Sequence, residues 1–460
     1  MAYLPQSEDD IKRMLEAVGV ASVEDLFSHI PPDVRFSGRL NLPPALSEAA
    51  LQQHMEGLAA RNSGTDRTVS FLGGGCYDHF IPAAVDFVAS RSEFYTSYTP
   101  YQPEVSQGNL QALFEYQTLI ARLFGMDVSN GGLYDGATAA AEAVLMAIAA
   151  RSGKRKVLVP ETLHPEYRRV LQTYTANVEI SLSTLSAPRG RLDAETVAKQ
   201  CDAKTACVVI QQPNFFGCVE PLDALIRAAH EAGVPAVVVA DPISMGLLKR
   251  PGDLGADLVA AEGQALGIPQ QWGGPFLGIL ACREQFLRRM PGRIAGQTTD
   301  RNGKRCWVLT LQTREQHIRR EKATSNICTN QHLMAVRAAV YLALLGPHGL
   351  RKAAHLCLHK ARYAAKAWTE GTGLKLAFEA PFFKEFVLRA ENAAEAARLQ
   401  ERALEAGFFA GTALGQWYPD LQDAILLAVT EQRTREQIDA LARCFTCGRQ
   451  GSPTSRHAAR

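Results

Sequence analysis

The sequence predicts an α/β protein: a large domain on a mostly parallel sheet, followed by a smaller C-terminal α+β domain. Three observations carry that reading. From Lys156 onward, short apolar runs (157–159, 178–182, 206–210, 236–240, 258–261 and 276–281) alternate with helix-length segments such as 166–174 and 222–232. Apolar strands alternating with helices form parallel sheets covered on both faces. His164, Asn214, Asp241 and the loop holding Gln264 fall just past the runs, beyond the strand ends where such sheets bind ligands. Finally, residues 255–278, GADLVAAEGQALGIPQQWGGPFLG, turn through Gly-Ala-Asp into an apolar run and leave through a glycine-rich loop. The expected division is an N-terminal helical arm (1–68), the large domain (69–325), the small domain (326–447) and a polar tail (448–460).

The arm opens on Ser7-Glu-Asp-Asp10, a capping-box start to a helix that Gly19 ends. A short helix over 23–30 stops at Pro31-Pro32, and a third helix is expected over 47–60. These pieces are too broken to own a core, so the arm either wraps a neighbouring subunit or packs as a helical layer on its own domain. The run 69–72 meets Gly73-Gly74-Gly75, which permits either a ligand's close approach or a tight turn. Pro82 suits the first position of a helix through Ser90.

Residues 94–108, FYTSYTPYQPEVSQG, set Tyr95, Tyr98 and Tyr101 among Thr, Gln and Pro with neither helical nor strand periodicity. Such rings need burial and their hydroxyls need partners, which points to a loop lining a pocket or a subunit interface, or to a well-packed loop. Leu110, Leu113, Phe114, Gln117, Ile120 and Phe124 keep helical spacing up to Gly125. Asp135-Gly-Ala-Thr138 opens an alanine-rich helix through Ala150. Its free N–H groups could cradle a phosphate, but Asp135 can cap them itself and would repel an anion, so a self-capped start is expected.

After the sheet, residues 309–332 crowd Arg314, His317, Arg319, Arg320 and Lys322 together against Glu315 and Glu321. A solvated helix face is the default reading, and an anion- or partner-binding patch the alternative. The remainder predicts helices at 332–345 and 350–368, a strand-like run at 382–388, a helix at 393–406, an apolar run at 424–429 and a last helix after Thr434. The tail after residue 447 is polar and expected to be disordered.

A formal charge of +2, with 47% hydrophobic and 21% charged residues, gives no reason to expect nucleic acid or membrane as a partner. No apolar run approaches the roughly 20 residues of a membrane span, and the start has no basic region before an apolar core. Ten scattered cysteines, several inside apolar runs, suit reduced thiols in a cytoplasmic protein. Cys444 and Cys447 make a lone CxxC without a second pair, so no metal site is expected.

An apolar strand ending in Asp241, then a second strand running into a glycine-rich loop, resembles the way pyridoxal-phosphate (PLP) enzymes of the aminotransferase-like fold, fold type I, place their chemistry. There the Asp pairs with the pyridinium nitrogen and a lysine on the second loop carries the cofactor. No lysine stands between Lys249 and Lys304 here. Three longer motifs, YTPYQPEVSQG (98–108), MPGRIAGQTTD (290–300) and LQTREQHIRREKATSNICT (311–329), closely resemble the P-protein family of the glycine cleavage system, glycine dehydrogenase (decarboxylating). More narrowly, the chain is similar to the N-terminal half of that protein, which many bacteria make as a separate first subunit paired with a homologous second one.

The resemblance implies an enzyme that decarboxylates glycine on PLP and passes the aminomethyl group to the lipoyl arm of the H-protein. The family's lysine falls on Gln264 when aligned by the following Ile-Pro, or on Ala265 when aligned by the Gly-Ala-Asp turn, and His164 and Asp241 match the ring-stacking and pyridinium-pairing positions. The implied picture is a degenerate PLP pocket (His164, Asp241, Gln264), no catalytic residue in this chain, and the cofactor on the partner subunit. The shared site is then at an interface, lined from this side by Tyr95, Thr96, Tyr98 and Gln102, in an assembly expected to be α2β2. Two alternatives stay open: a self-sufficient PLP lyase using Lys249, and a non-catalytic scaffold or regulatory protein that has kept the fold.

Overall fold

A computed structural model of the chain describes residues 6–36, 38–98, 102–271, 273–311, 316–323 and 325–446. Tyr101, Arg314, Glu315, Cys447 and the tail 448–460 lie outside the described residues. The chain divides into two compact units, Met1–Ser63 and Gly64–Arg460, so the arm ends five residues earlier than the sequence suggests.

In the first unit, Ser7 and Asp10 form the expected capping box on helix Glu8–Val18, and Gly19 closes it in the left-handed conformation (φ 83°). A 3-10 turn (Val23–Phe27) and helix Glu48–Ala59 follow, and none of the three elements buries a residue. Among its described residues the unit has helices without a core.

The second unit begins with β1 (Val69–Ser70). Seven strands then make the large sheet: β2 (Val128–Ser129), β3 (Lys156–Pro160), β4 (Ser181–Leu185), β5 (Thr205–Gln212), β6 (Ala236–Ala240), β7 (Leu258–Glu262) and β8 (Gly278–Cys282). Their order is β2-β8-β7-β6-β5-β3-β4. Strands β3 to β7 are mutually parallel, whereas β8 runs antiparallel to both β7 and β2. Every residue of β6 and β8 is buried, because helices cover both faces and a two-sided strand must be apolar throughout. β4, at the sheet edge, is largely polar (SLSTL). That composition explains why the apolar signal places this strand at 178–182, three residues early.

A hairpin of β9 (Ala295–Thr299) and β10 (Arg305–Leu309) follows. The expected helical face beyond it is only a one-turn helix, Gln316–Arg319, and a 3-10 turn, Arg320–Lys322, with no buried residue. The two helices expected at 332–345 and 350–368 form one bent element, His332–Thr369, broken where Gly346 (φ 55°) precedes Pro347. This helix is long and apolar enough to cross a membrane by length and composition alone. It packs instead against helices Gln107–Phe124, Ala83–Ala89 and Arg435–Thr446.

The small domain holds β11 (Lys375–Leu376), β12 (Glu385–Arg389), β13 (Phe408–Phe409), β14 (Thr412–Ala413) and β15 (Ala424–Ala428). Its antiparallel sheet has the order β11-β12-β15-β14. β1, which the sequence assigns to the large domain, pairs in parallel with β13, and Phe71 packs edge-on against Trp368 in the small-domain core. The backbone leaving β1 therefore enters the large domain from the small one, and it brings residues 73–80 between them.

Candidate functional site

Strand β6 carries Asp241 to the carboxyl end of the sheet. One carboxylate oxygen, Oδ1, accepts from the backbone N–H groups of Ile243 (2.8 Å) and Ser244 (3.1 Å), capping the turn that follows. The other, Oδ2, lies 2.5 Å from the Lys384 ammonium. Lys384, only 1% exposed, immediately precedes β12. Its Nζ also lies 3.1 Å from His79 Nε2 and 3.4 Å from the centre of the Tyr77 ring. An ammonium has three N–H groups, and here it meets a carboxylate, an imidazole and an aromatic face.

The loop under Lys384 is tied down from both domains. Glu385 accepts from the Gly74 N–H (2.7 Å) and the Tyr77 hydroxyl (2.8 Å). A side chain at Gly73 would meet the Glu385 carboxylate at 2.2 Å, so the glycine run makes room for the protein's own carboxylate. Burial pushes the Glu385 carboxyl up to about 7. Gln264 accepts from Tyr77 N–H (2.8 Å) and donates to the Tyr77 and Ile268 carbonyls (3.0 and 2.8 Å). His79 Nδ1 lies 2.6 Å from Glu431. Burial alone would raise the Glu431 carboxyl, but His79 and the Phe80 N–H outweigh it and bring it down to about 2.

His79, Cys357 and Glu431 bring three ligand atoms within 4.8 Å of one another. His79 spends one nitrogen on Glu431 and has the Lys384 ammonium at the other, which disfavours an added cation.

His164 donates from Nε2 to the Gly74 carbonyl (2.7 Å) and accepts at Nδ1 from the Glu166 N–H (3.1 Å). Its ring stacks on Tyr167 at 4.9 Å, and burial lowers its pKa. The start of helix Gly136–Ala150 is held by two carboxylates. Asp135 accepts from Thr138 N–H at 2.8 Å. Glu262, at the end of β7, accepts from the N–H groups of Gly136 (2.8 Å), Gln264 (2.9 Å) and Leu277 (3.1 Å). Burial still pushes the Glu262 carboxyl up to about 8. Between these groups remains a cavity of about 40 Å³, lined by Gly75, Tyr77, His164, Tyr167, Asp241 and Lys384 among others.

His164 and Asp241 thus share one cavity, whereas Gln264 stands behind its wall and Asn214 knits the loop 214–220 through Glu220, Phe216 and Cys218. Lys249 is exposed and does not line the cavity. Tyr95, Thr96, Tyr98 and Gln102 do not line it either. Tyr95 ends a one-turn helix and Tyr98 follows it, 70% and 76% exposed. Tyr98 and Gln102 border a separate surface groove with Glu93 and Asn109. Sequence reasoning missed Lys384, Glu385 and His79. The signal was a Lys-Glu pair inside the apolar run 382–388, where charges survive burial only with partners.

The residues present do not fit PLP in this cavity. The carboxylate that would meet a pyridinium is paired with Lys384, two carboxylates occupy the helix start that would meet a phosphate, and a space of about 40 Å³ admits only a few waters.

The model of the glycine cleavage system P-protein family matches residues 1–445. The chain is 49% identical over 442 residues to the probable glycine dehydrogenase (decarboxylating) subunit 1 of Desulforamulus reducens, covering 96% of this chain and 98% of that one. It is 50% identical over 442 residues to the protein of the same name from Thermomicrobium roseum, with the same coverage. Among solved structures, glycine decarboxylase (P-protein) of the glycine cleavage system, in inhibitor-bound form, aligns with a TM-score of 0.87 and 42% identity over 97% of this chain and 99% of that one. The sphingosine-1-phosphate lyase of Burkholderia pseudomallei shares the fold alone, with a TM-score of 0.67 at 14% identity over 90% of this chain and 94% of the lyase. The α/β architecture is that of the fold type I PLP-dependent enzymes.

Proposed function

Since the chain belongs to the glycine cleavage system P-protein family, we propose that it is the first subunit of a two-subunit glycine dehydrogenase (decarboxylating), active only with a homologous second subunit. The observation that carries this reading is the Asp241–Lys384 pair. A P-protein chain whose own cofactor position is filled from within needs PLP held elsewhere, and the partner subunit is where we expect it. Glycine is then the substrate, the lipoyl arm of the H-protein the acceptor, and α2β2 the expected assembly.

Within that enzyme this chain's contribution is a wall of the shared site. The exposed rings of Tyr95 and Tyr98, beside Thr96 and Gln102, sit on a segment anchored at one end by helix Ala83–Ala89 and at the other by helix Gln107–Phe124. Large rings held out from a rigid base suit burial against a partner, where they exclude water and orient a small substrate. Gln264 and Ala265, at the family's lysine position, have no amine to offer.

The test is co-production of this chain with its second subunit. Glycine–bicarbonate carbon exchange, measured with each chain alone and with both, should appear only in the assembled enzyme. Exchange by this chain alone would refute the reading.

A further inference from the structure

Fold type I chains keep an anionic residue at the end of a central strand, and in this chain that residue, Asp241, is largely buried, its side chain 12% exposed. A buried carboxylate without a cation is costly. Removal of the cofactor from such a position should therefore be matched by a new counter-ion or by loss of the carboxylate. Here the carboxylate remains and the counter-ion is a side chain from the other domain.

We propose that the Lys384 ammonium is a built-in ligand of the former cofactor pocket, standing where a pyridinium nitrogen would stand, and that it makes the pocket a cation-specific site closed to PLP. Three contacts support this. Nζ is 2.5 Å from Asp241 Oδ2, 3.1 Å from His79 Nε2 and 3.4 Å from the centre of the Tyr77 ring. Carboxylate, imidazole nitrogen and aromatic face are all groups that favour a cation. Glu262 and Asp135 supply the complementary half, since their carboxylates take up the helix-start N–H groups that an incoming anion would need.

The same contacts give the pocket a mechanical role. Lys384 and Glu385 belong to the small domain, Asp241 to the large one, and Gly74, Tyr77 and His79 to the loop between them. That loop runs on into helix Ala83–Ala89 and then to Tyr95 and Tyr98. The internal cation therefore positions the segment that reaches toward the partner.

The test uses the full chain alone and reads a ligand, so its failure is distinguishable from failure of the two-subunit reading. Lys384→Ala removes three carbons and the nitrogen, the atoms of n-propylammonium. That amine should give a saturable rise of about 2 °C or more in the Tm of Lys384→Ala, with no rise for the wild-type chain or for Lys384→Ala/Asp241→Asn. Neutral n-propanol should not reproduce it. A response to n-propanol equal to that of the amine, no response to the amine, or saturable uptake of PLP by the wild-type chain would overturn the proposal. Should Lys384→Ala not fold, Lys384→Met and Lys384→Met/Asp241→Asn give a second reading. The double variant should unfold at the higher denaturant concentration, and equal midpoints would contradict the pairing.

Discussion

The Gln264 side chain grips the backbone of Tyr77 by both its polar atoms, accepting from the N–H at 2.8 Å and donating to the carbonyl at 3.0 Å. One of the two positions where the family's lysine falls therefore carries a clamp between the β7 loop and the 73–80 loop. Gln264→Lys should not create a PLP site, because Asp241 is already paired. It should leave the buried Tyr77 N–H without an acceptor and add a buried charge, at a cost of at least about 2 kcal/mol. Urea unfolding measures the cost, and absorbance after incubation with PLP shows whether an adduct forms.

Glu385 sets a pH dependence. Its folded-state pKa, raised by burial to about 7 from the ordinary value of 4.5, means the native state holds a proton that the unfolded chain releases first. Its contribution to stability is full below about 4.5 and falls as pH rises toward 7, by at most about 1.4 kcal/mol per pH unit. In Glu385→Gln the carbonyl oxygen can still accept from Gly74 and the amide can donate to the Tyr77 hydroxyl. The variant should show a flatter decline in unfolding free energy across this window. An unchanged slope would mean that Glu385 does not titrate there.

Gly217 is where the loop after β5 touches β12. Its φ is +79°, and an added Cβ would lie 2.0 Å from the Glu385 carbonyl oxygen. Both strain and a backbone clash oppose any side chain, so Gly217→Ala should destabilise the chain by about 3 kcal/mol or more. It should also displace Lys384 and Glu385. Unfolding midpoints measure the loss, and a change under about 1 kcal/mol would show that the two segments yield easily.

Tyr95 and Tyr98 should divide stability from assembly. Both rings are exposed, so Tyr95→Ala and Tyr98→Ala should shift the lone chain's unfolding free energy by no more than about 0.5 kcal/mol. Affinity for the second subunit should fall about tenfold or more, as at an aromatic hot spot. Titration calorimetry of the two subunits checks the second number. Full affinity in both variants would remove the tyrosines from the interface.

The parallel core was legible because its strands are covered on both faces, which forces apolar runs such as AVVVA at 236–240. The edge strand β4 was misplaced because one side of it meets solvent and its sequence is half polar. The β9–β10 hairpin was not anticipated, since Ala295–Thr299 alternates too weakly to announce a strand. At the site, Asp135 was legible as a self-cap because the N–H it accepts from is only three residues away. Lys384 was not, because its partners Asp241 and His79 are distant in sequence and only the fold brings them within 3.1 Å. Local patterns reveal local bonds, and the filling of the pocket is wholly non-local.

With the Asp241 carboxylate already paired to Lys384, we expect the enzyme's PLP to be carried by the other subunit. Borohydride reduction of the assembled enzyme, followed by peptide mass spectrometry of both chains, tests it most directly. The pyridoxyl label should fall on the second subunit alone, with Lys249 and Lys384 of this chain unmodified. A label on either of those lysines would contradict it.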